Sequence, residues 1–315
     1  MKKISILIPT FNEESNVVPI SEAIIQQMEK MPEYDYELVY IDNDSTDSTR
    51  KLIRELCDSN PKIKAIFNAK NYGQFNSPYY GIMQCTGDCV IEMAADFQDP
   101  VELIPRYVEE WENGYKIVLA KKVSSKESRV VYNLRELFYR FMRKYSSVDY
   151  LEQVTGSGLY DREFIKVMES IDDSRPVLRA IVAEDGYKIK TIDFEQPKRK
   201  GGKSSNNIFS YYDAAVQNIT AYTKVGIRLI LLVGTFLSII SFVTFVIVLT
   251  YKLINWNSYQ AYPLLMYILL GLGISINMVF MGIVGEYVMD TNIRMRKRPL
   301  VIESERINFD TPKQQ

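Results

Sequence analysis

Carboxylates, amides and basic side chains are the groups that this chain offers for chemistry. It contains no His, so a Ser-His-Asp triad, a His-ligated zinc site and an imidazole general base are all excluded. Its three Cys residues, Cys57, Cys85 and Cys89, cannot close a zinc site without His, and we interpret them as reduced structural thiols. The groups that remain for chemistry are oxygen atoms, which can bind a cation, and positively charged side chains.

The acidic and amide residues cluster where apolar runs end. The first run leads into residues 9–13 (PTFNE), a second into 42–47 (DNDSTD) and another into 94–100 (AADFQDP). No G-x-G-x-x-G follows the first run and no G-x-x-x-x-G-K-[ST] occurs, so a classical dinucleotide fold and a P-loop are not expected. For Asp42 and Asp47, helix capping and turn chemistry are the alternative interpretation.

The elements that must position these clusters alternate along the first 120 residues. Helix-like stretches separate the strand-like runs, which lie at 4–8, 36–41, 63–67, 90–94 and 117–120. This alternation predicts an α/β fold with a largely parallel sheet. Because ligands bind beyond the carboxyl ends of the strands in such sheets, we expect the polar clusters to form one site.

Two apolar segments follow this domain. Residues 229–250 and 261–285 carry no charged side chain, which predicts a hairpin of two transmembrane helices. The alternative is a pair of buried core helices in a soluble domain. Basic residues flank the pair at Lys224, at Arg228 and again at 294–298, so we expect both flanks in the cytosol and an external loop at 251–260.

The predicted domains follow from this division. Residues 1–208 form a cytosolic α/β domain, 209–228 an interfacial juxtamembrane helix and 286–315 a cytosolic tail. Residues 129–146 are also amphipathic, and an ordinary core helix is an equal alternative to an interfacial one there. The chain has 38 Lys+Arg against 39 Asp+Glu, so its charge does not indicate a nucleic-acid partner.

Four motifs together resemble glycosyltransferase family 2. IPTFNEE, IDNDSTDST, N-Y-G and ADFQDP occur in that family's order, and two apolar spans followed by GEY and RPLVIESERIN complete the similarity. With these features, the chain resembles the group of bactoprenol glucosyltransferases and dolichyl-phosphate-mannose synthases. The resemblance implies a GT-A fold and an inverting hexosyltransferase that moves a sugar from a nucleotide sugar to a polyprenyl phosphate.

The resemblance also implies a set of site residues. Asp42 would bind the nucleotide base, and Asp96 with Gln98 would hold Mg²⁺ or Mn²⁺ on the donor diphosphate, where the cation offsets the charge of the leaving group. The residues implied to bind the donor are Pro9, Phe11, Glu13, Asp42, Asp44, Asn71, Ala95 and Asp96.

The acceptor needs positive charge rather than a base, since a phosphate monoester is already anionic near neutral pH. Residues 197–206 (PKRKGGKSSN) supply such charge, and they match the family's R-x-x-G-x-S-K stretch at Arg199 and Ser204. We therefore expect Arg199, Lys203 and Ser204 to bind the acceptor phosphate, with Arg199 joining Asp96 and Gln98 as a catalytic residue. The alternative is a cytosolic basic belt that attracts anionic lipid.

The expected reaction takes place on the cytosolic face of the plasma membrane, in a multi-pass protein whose catalytic domain is cytoplasmic. UDP-glucose is the default donor and undecaprenyl phosphate the acceptor. The product is a lipid-linked monosaccharide for modification of a cell-surface glycan in the cell envelope. A small membrane flippase and a homo-oligomer are the expected partners. The alternatives are a processive polysaccharide synthase of the same fold and a catalytically silent scaffold that binds nucleotide sugar.

Three departures from the family pattern involve four positions. Ala94 stands where an Asp is common, Asn43 and Asp44 replace Asp-Gly, and Ser157 replaces an Asp after Gly156. Glu92 faces the same side of its strand as Asp96 but lies about 6–7 Å before position 94, so we expect it to be too far away to bind the same cation directly. The cation is then held by Asp96, Gln98, water and the donor diphosphate.

Overall fold

The computed structural model describes residues 1–124, 154–171, 176–197, 225–254, 262–295 and 298–309, together with the single positions 136, 140, 144, 145, 216 and 223. The chain divides into two compact units. One comprises Met1–Tyr139, Val148–Ser205 and Arg296–Gln315, and the other comprises Arg140–Ser147 and Asn206–Met295. The chain therefore leaves the first unit and returns to it at its C-terminal end.

In the described part of the chain, the first unit is built on one sheet of eight strands with helices on both faces. The strands are β1 (Lys2–Thr10), β2 (Tyr34–Asp42), β3 (Ile63–Asn68), β4 (Cys89–Glu92), β5 (Ile117–Ser124), β6 (Val154–Asp161), β7 (Ile189–Glu195) and β8 (Glu303–Ile307). The helices are α1 (Val17–Glu29), α2 (Thr49–Ser59), α3 (Gly73–Gln84), α4 (Leu103–Glu112), α5 (Arg162–Ser170) and α6 (Leu178–Glu184).

The sheet has the order β7-β5-β6-β4-β1-β2-β3-β8 and is mixed. Strands β4, β1, β2 and β3 are parallel neighbours, and β5 is parallel to β7. Strand β6 runs antiparallel to β4 and β5, and β8 runs antiparallel to β3. The predicted α/β class is confirmed, but the sheet is less parallel than expected because β6 and β8 enter it in the reverse direction.

Alternation of side chains along the central strands explains why both faces of the sheet are covered. On β1, Ile4, Ile6 and Ile8 are fully buried in one apolar cluster, and Leu7 is buried in the cluster on the other face. Helices α1, α2 and α4 pack on the first face, and Tyr79 of α3 packs on the second. Each fully buried side chain of this size contributes about 1.5–3 kcal/mol to folding.

Strand β8 closes one edge of this sheet. Arg54 of α2 donates to Glu305 on β8 at 2.6 Å, and Asn308 donates to the carbonyl oxygens of Cys57 and Ile63 at 2.9 and 2.8 Å. The backbone N–H of Ala69 also bonds to the carbonyl of the residue before β8, Ile302, at 2.9 Å. The tail after residue 297 is thus an integral part of the first unit.

Glu37 holds three parts of the first unit together from a buried position. It is 1% exposed and accepts hydrogen bonds from Ser5 Oγ at 2.6 Å, Lys3 Nζ at 2.8 Å and the Thr86 N–H at 2.6 Å. Lys64 Nζ lies 2.9 Å away. Burial raises the pKa of Glu37, but these hydrogen bonds outweigh it and lower that pKa to about 2.

We expect Glu37 to make the fold acid-sensitive. Its folded pKa lies below the unfolded value of about 4.3, so the ionised form stabilises the fold above that pH, and the contribution of about 3 kcal/mol is lost as the pH falls towards 2. Urea unfolding at pH 5 and pH 3 should show a smaller stability loss in Glu37→Gln than in the wild type. Glu109→Gln, at an exposed position, is the control. Equal losses in all three proteins would contradict this assignment.

The second unit contains two helices, α7 (Val225–Ile254) and α8 (Tyr262–Met295). Tyr287 of α8 donates a hydrogen bond to the Thr223 carbonyl oxygen at 3.1 Å. A helix needs about 20 consecutive, predominantly apolar residues to span a membrane. Within the residues that the structure describes, no helix combines sufficient length with sufficient apolar character. The predicted transmembrane hairpin is therefore wrong, and the fold class is corrected to an α/β domain with a mixed sheet and two further helices.

Candidate active site

The candidate site lies at the carboxyl ends of four neighbouring strands, β4, β1, β2 and β3, which end side by side. Because these four strands are parallel, their carboxyl ends bring together residues that are distant in sequence. Glu13 follows β1, Asp42 ends β2, Asn71 follows β3 and Asp96 follows β4. The structure thus places these four predicted donor-binding residues at the carboxyl ends of the parallel strands.

Asp42 is the most enclosed carboxylate of this site, with 0% exposure. Its Oδ2 accepts hydrogen bonds from Arg50 Nε at 2.5 Å and from the Ser45 N–H at 3.1 Å. Its Oδ1 is buried and has no hydrogen-bond partner among the described residues. A carboxylate with one unused acceptor oxygen is suited to accept a hydrogen bond from an N–H or O–H group of a ligand.

Arg50 fixes the orientation of the Asp42 carboxylate, and the sequence analysis does not single it out. Its Nη2 donates to the Asn68 carbonyl oxygen at 2.6 Å, and its guanidinium lies 5.6 Å from the centre of the Phe67 ring. Asp44 forms a weaker ion pair with Arg50 at 3.4 Å, from a half-buried position in the left-handed backbone region (φ 68°). The sequence does contain one indication of this ion pair. Arg50 lies eight residues after Asp42, a spacing that leaves room for a tight turn between β2 and α2.

The residues after β1 are tied to the loop after β2. The Asn12 N–H donates to Ser45 Oγ at 2.9 Å, and Asn12 Oδ1 accepts from the Thr46 N–H at 2.8 Å. Glu13 is buried, with its N–H bonded to Thr49 Oγ1 at 2.8 Å. Pro9 and Phe11 are half-buried beside them. Asp47 accepts from backbone N–H groups of Glu14 and Thr49, as the turn interpretation expects.

An amide network fixes the loop after β3. Asn43 donates through Nδ2 to Asn71 Oδ1 at 2.9 Å and to the Gly73 carbonyl oxygen at 3.2 Å. Its Oδ1 accepts from the Tyr72 N–H at 2.8 Å and from Asn68 Nδ2 at 3.1 Å. The departure from Asp at position 43 thus has a structural reason, because a carboxylate has no hydrogens to donate.

We expect Asn43→Asp to loosen this loop. The new carboxylate would face the Gly73 carbonyl oxygen without a hydrogen to share, which should lower stability by about 1–3 kcal/mol and weaken nucleotide binding. Thermal unfolding and calorimetry with UDP measure the two effects. Asn113→Asp, at an exposed position after α4, serves as the control. Unchanged stability and affinity in Asn43→Asp would show that the network does not hold the loop.

Asp96 and Asp99 lie after β4, on either side of a tight turn. Asp96 is 8% exposed, and its Oδ1 accepts from the Gln98 N–H at 3.1 Å across Phe97, whose backbone is left-handed (φ 60°). Asp99 accepts from the Ala94 N–H at 3.1 Å. Burial raises the pKa of Asp99 to about 6; the Ala94 hydrogen bond opposes this shift, and the Asp96 charge adds to it. Ala95 is buried next to this turn.

Asp96 and Gln98 lie at this strand end and carry oxygen atoms of the kind that bind a divalent cation. Across the described residues, no group of three or more His, Cys, Asp or Glu side chains is placed to hold a metal ion. Asp96, beside Gln98, brings a nearly buried carboxylate to the strand end, and Glu92 Oε2 is a buried oxygen without a partner in the described residues. Burial and the Asp99 charge raise the pKa of Glu92 to about 8, although Arg179 opposes the shift. Oxygen ligands of this kind suit Mg²⁺ or Mn²⁺.

The predicted acceptor residues cannot be placed in the same way. Arg199, Lys203 and Ser204 lie outside the described residues. Strand β7 ends at Glu195, and it runs in the same direction as β5, which is antiparallel to β6 and therefore parallel to β4. Strand β7 therefore ends on the same side of the sheet as β4.

Comparison with known proteins identifies the family that matches this chain. Residues 5–186 match the family described as Glycosyl transferase family 2. A prophage bactoprenol glucosyl transferase homolog of Escherichia coli (strain K12) is 29% identical over 301 residues, which cover 95% of this chain and 98% of that protein. The bactoprenol glucosyl transferase of Shigella phage SfX is 28% identical over 298 residues, covering 94% and 97%.

The similarity to solved structures is more distant. The crystal structure of glucosyl-3-phosphoglycerate synthase from Mycobacterium tuberculosis in complex with UDP has a TM-score of 0.48 and 17% identity, over 70% of this chain and 78% of that one. A similarity at this level carries no conclusion about substrate.

Proposed function

The chain belongs to glycosyl transferase family 2 and is a glycosyltransferase, and we propose that it transfers a sugar from a nucleotide-sugar donor to a polyprenyl phosphate. The observation that carries the donor half is Asp42, a buried carboxylate with an unused acceptor at the common carboxyl end of four parallel strands. The acceptor half is supported by the bactoprenol in the names of relatives that align with most of the chain.

The donor is proposed to be UDP-glucose. Asp42 Oδ1 would accept a hydrogen bond from the nucleotide base, while Arg50 holds the other oxygen. Glu13 and the loop at residues 71–73 would border the rest of the nucleotide. Thermal-shift measurements with a panel of nucleotide sugars would identify the donor, since the true donor stabilises the folded state by mass action.

Asp96 and Gln98 are proposed to hold Mg²⁺ or Mn²⁺ on the donor diphosphate. When bound, the cation offsets the negative charge that develops on the nucleoside diphosphate leaving group. The chain's own contribution is to present the Asp96 carboxylate from a rigid turn: its Oδ1 is fixed by the Gln98 N–H, and the Asp99 carboxylate holds the Ala94 N–H before it. Because one carboxylate binds a cation weakly, binding should be strong only with nucleotide present.

The acceptor is proposed to be undecaprenyl phosphate at the cytosolic face of the plasma membrane. Its phosphate is the nucleophile and is already anionic, so the protein has to position it rather than deprotonate it. Arg199, Lys203 and Ser204 are the residues proposed for that task. A bidentate contact from a guanidinium to phosphate gives both affinity and orientation.

Arg199→Ala is expected to raise the apparent KM for the lipid phosphate at least about tenfold, because one charge-assisted contact is lost. Nucleotide binding should stay nearly unchanged. Steady-state transfer assays and UDP calorimetry separate the two effects, and Arg199→Lys should remain impaired because Lys cannot form the bidentate contact. A parallel loss of UDP affinity would assign Arg199 to the donor instead.

Transfer of radiolabelled sugar tests the function itself. Purified full-length protein, undecaprenyl phosphate in detergent and Mn²⁺ are incubated with labelled UDP-glucose, and the organic-extractable product is analysed. A lipid-linked monosaccharide supports the proposal. A labelled polymer would indicate a processive synthase, and no transfer from any donor in the panel would indicate a silent binding protein.

A further inference from the structure

Strand β8, near the end of the chain, meets β3 beside the candidate donor site. It runs antiparallel to β3, so its first residues lie beside the carboxyl end of β3 and its last residues beside the amino end. Glu303, the first residue of β8, is opposite Asn68. Asn68 in turn bonds through Nδ2 to Asn43, and its carbonyl oxygen accepts from Arg50. The start of β8 therefore borders residues that hold the donor site together.

An irregularity in this pairing brings one side chain of β8 to the backbone of β3. The register shifts between Phe67 and Asn68, which leaves Ser304 as an extra residue on β8. Its Oγ donates to the Phe67 carbonyl oxygen at 2.9 Å and lies 3.4 Å from the Asn68 carbonyl oxygen. Bulges of this kind redirect a side chain and are frequent beside active sites. Ser304 thus fixes the backbone of the last two residues of β3.

The Asn68 carbonyl oxygen connects this contact to the buried ion pair of the site. It accepts from Arg50 Nη2 at 2.6 Å, while Arg50 Nε bonds to Asp42 Oδ2 at 2.5 Å. A guanidinium is planar, with its donors in a rigid fork. A shift of the Asn68 carbonyl oxygen would therefore turn the whole Arg50 guanidinium and change how it meets Asp42.

A second contact joins β8 to the helix that carries Arg50. Glu305 on β8 accepts from Arg54 Nη2 at 2.6 Å. Arg54 and Arg50 are one turn apart on α2, and both guanidinium groups lie over the Phe67 ring, at 4.5 and 5.6 Å from its centre. Two cations beside one ring repel each other, and the Glu305 carboxylate offsets that repulsion. Strand β8 is thus connected to Arg50 through β3 and through α2.

We propose that the start of β8 is a positioning element for the donor site, in which Ser304 acts through the β3 backbone to set the place of the ion pair between Arg50 and Asp42. This inference rests on the proposed function, since it concerns the affinity for the nucleotide. The alternative is that β8 only stabilises the edge of the sheet. The two differ in which end of β8 matters for binding, because only its first residues reach the carboxyl end of β3.

The test measures UDP binding to full-length variants by calorimetry. Ser304→Ala should weaken UDP binding about 3- to 10-fold, the equivalent of one lost hydrogen bond. Ser304→Thr keeps the hydroxyl group and should bind UDP as the wild type does. Asn308→Gly is the matched control, because it suits the left-handed backbone there (φ 62°) and removes two hydrogen bonds, to the Cys57 and Ile63 carbonyl oxygens, away from the carboxyl end of β3. It should unfold at a lower temperature without losing UDP affinity.

The outcomes separate this inference from the proposed function. Wild-type UDP affinity in Ser304→Ala would overturn the inference, while UDP binding by the wild type still supported the proposed function. An equal loss of affinity in Asn308→Gly or in Ser304→Thr would also overturn it, because the loss would then follow from general destabilisation rather than from the hydroxyl contact. If the wild type bound no UDP, the proposed donor itself would fail, and this inference with it.

Discussion

Asp96→Asn is expected to reduce sugar transfer by about 100- to 1,000-fold, the range found when one electrostatic contact to a reacting group is removed. The substitution removes the carboxylate proposed to hold the cation, yet Asn Oδ1 can still accept the Gln98 N–H, so the turn after β4 should persist. The measurement is the initial rate of labelled-lipid formation at saturating UDP-glucose and Mn²⁺.

Asp58→Asn, at an exposed position on α2, is the control and should transfer sugar at the wild-type rate. Thermal unfolding should show that Asp96→Asn is folded. Excess chelator should abolish transfer by the wild type, and calorimetry should find Mn²⁺ binding weak without UDP. Full activity in excess chelator, or in Asp96→Asn, would contradict the cation site.

Asp42→Asn should remove nucleotide binding and destabilise the fold by about 3 kcal/mol, because breaking a buried ion pair leaves the other charge uncompensated. Asp42 is fully buried, and Arg50 is held against it at 2.5 Å. With Arg50 bonded to the amide oxygen, the Asn amide group would present N–H where Asp42 presents its unused oxygen. Calorimetry with UDP and thermal unfolding measure the two effects.

The double variant Asp42→Asn with Arg50→Gln separates stability from binding. Removing both charges should recover most of the lost stability, since no buried charge is left alone. UDP affinity should stay low, because the charged acceptor is still absent. Wild-type UDP affinity in the double variant would show that Asp42 does not contact the nucleotide.

Local patterns in the sequence were sufficient to predict the central half of the sheet. Strands β1 to β4 are apolar runs separated by amphipathic helices, and their polar ends follow directly from the parallel arrangement. Strand β8 (ESERI) was not predicted because it lies at an edge, where alternating charges replace an apolar run. Strand β6 was missed because Gly156 and Gly158 interrupt its apolar pattern.

The candidate site divides in the same way, into residues that local sequence identifies and residues whose roles depend on contacts between distant parts of the chain. Asp42 and Asp96 could be predicted because Asp42 ends β2 and Asp96 lies shortly after β4. Arg50 and Asn68 could not, since their roles depend on how α2 and the loop after β3 fold back onto Asp42 and Asn43. The expectation that Glu92 lies too far from Asp96 to bind the same cation stays a prediction.

The position of β8 has a consequence for how the protein is made. On the ribosome, β3 is complete at Asn68, but the strand that covers its edge is added about 240 residues later, which takes roughly 10 to 50 s at ordinary elongation rates. During that interval β3 presents unpaired N–H and C=O groups on a strand whose side chains are all buried in the finished fold. Exposed apolar edges of this kind pair with other chains. High expression or slow elongation should therefore raise the fraction of newly made protein that aggregates.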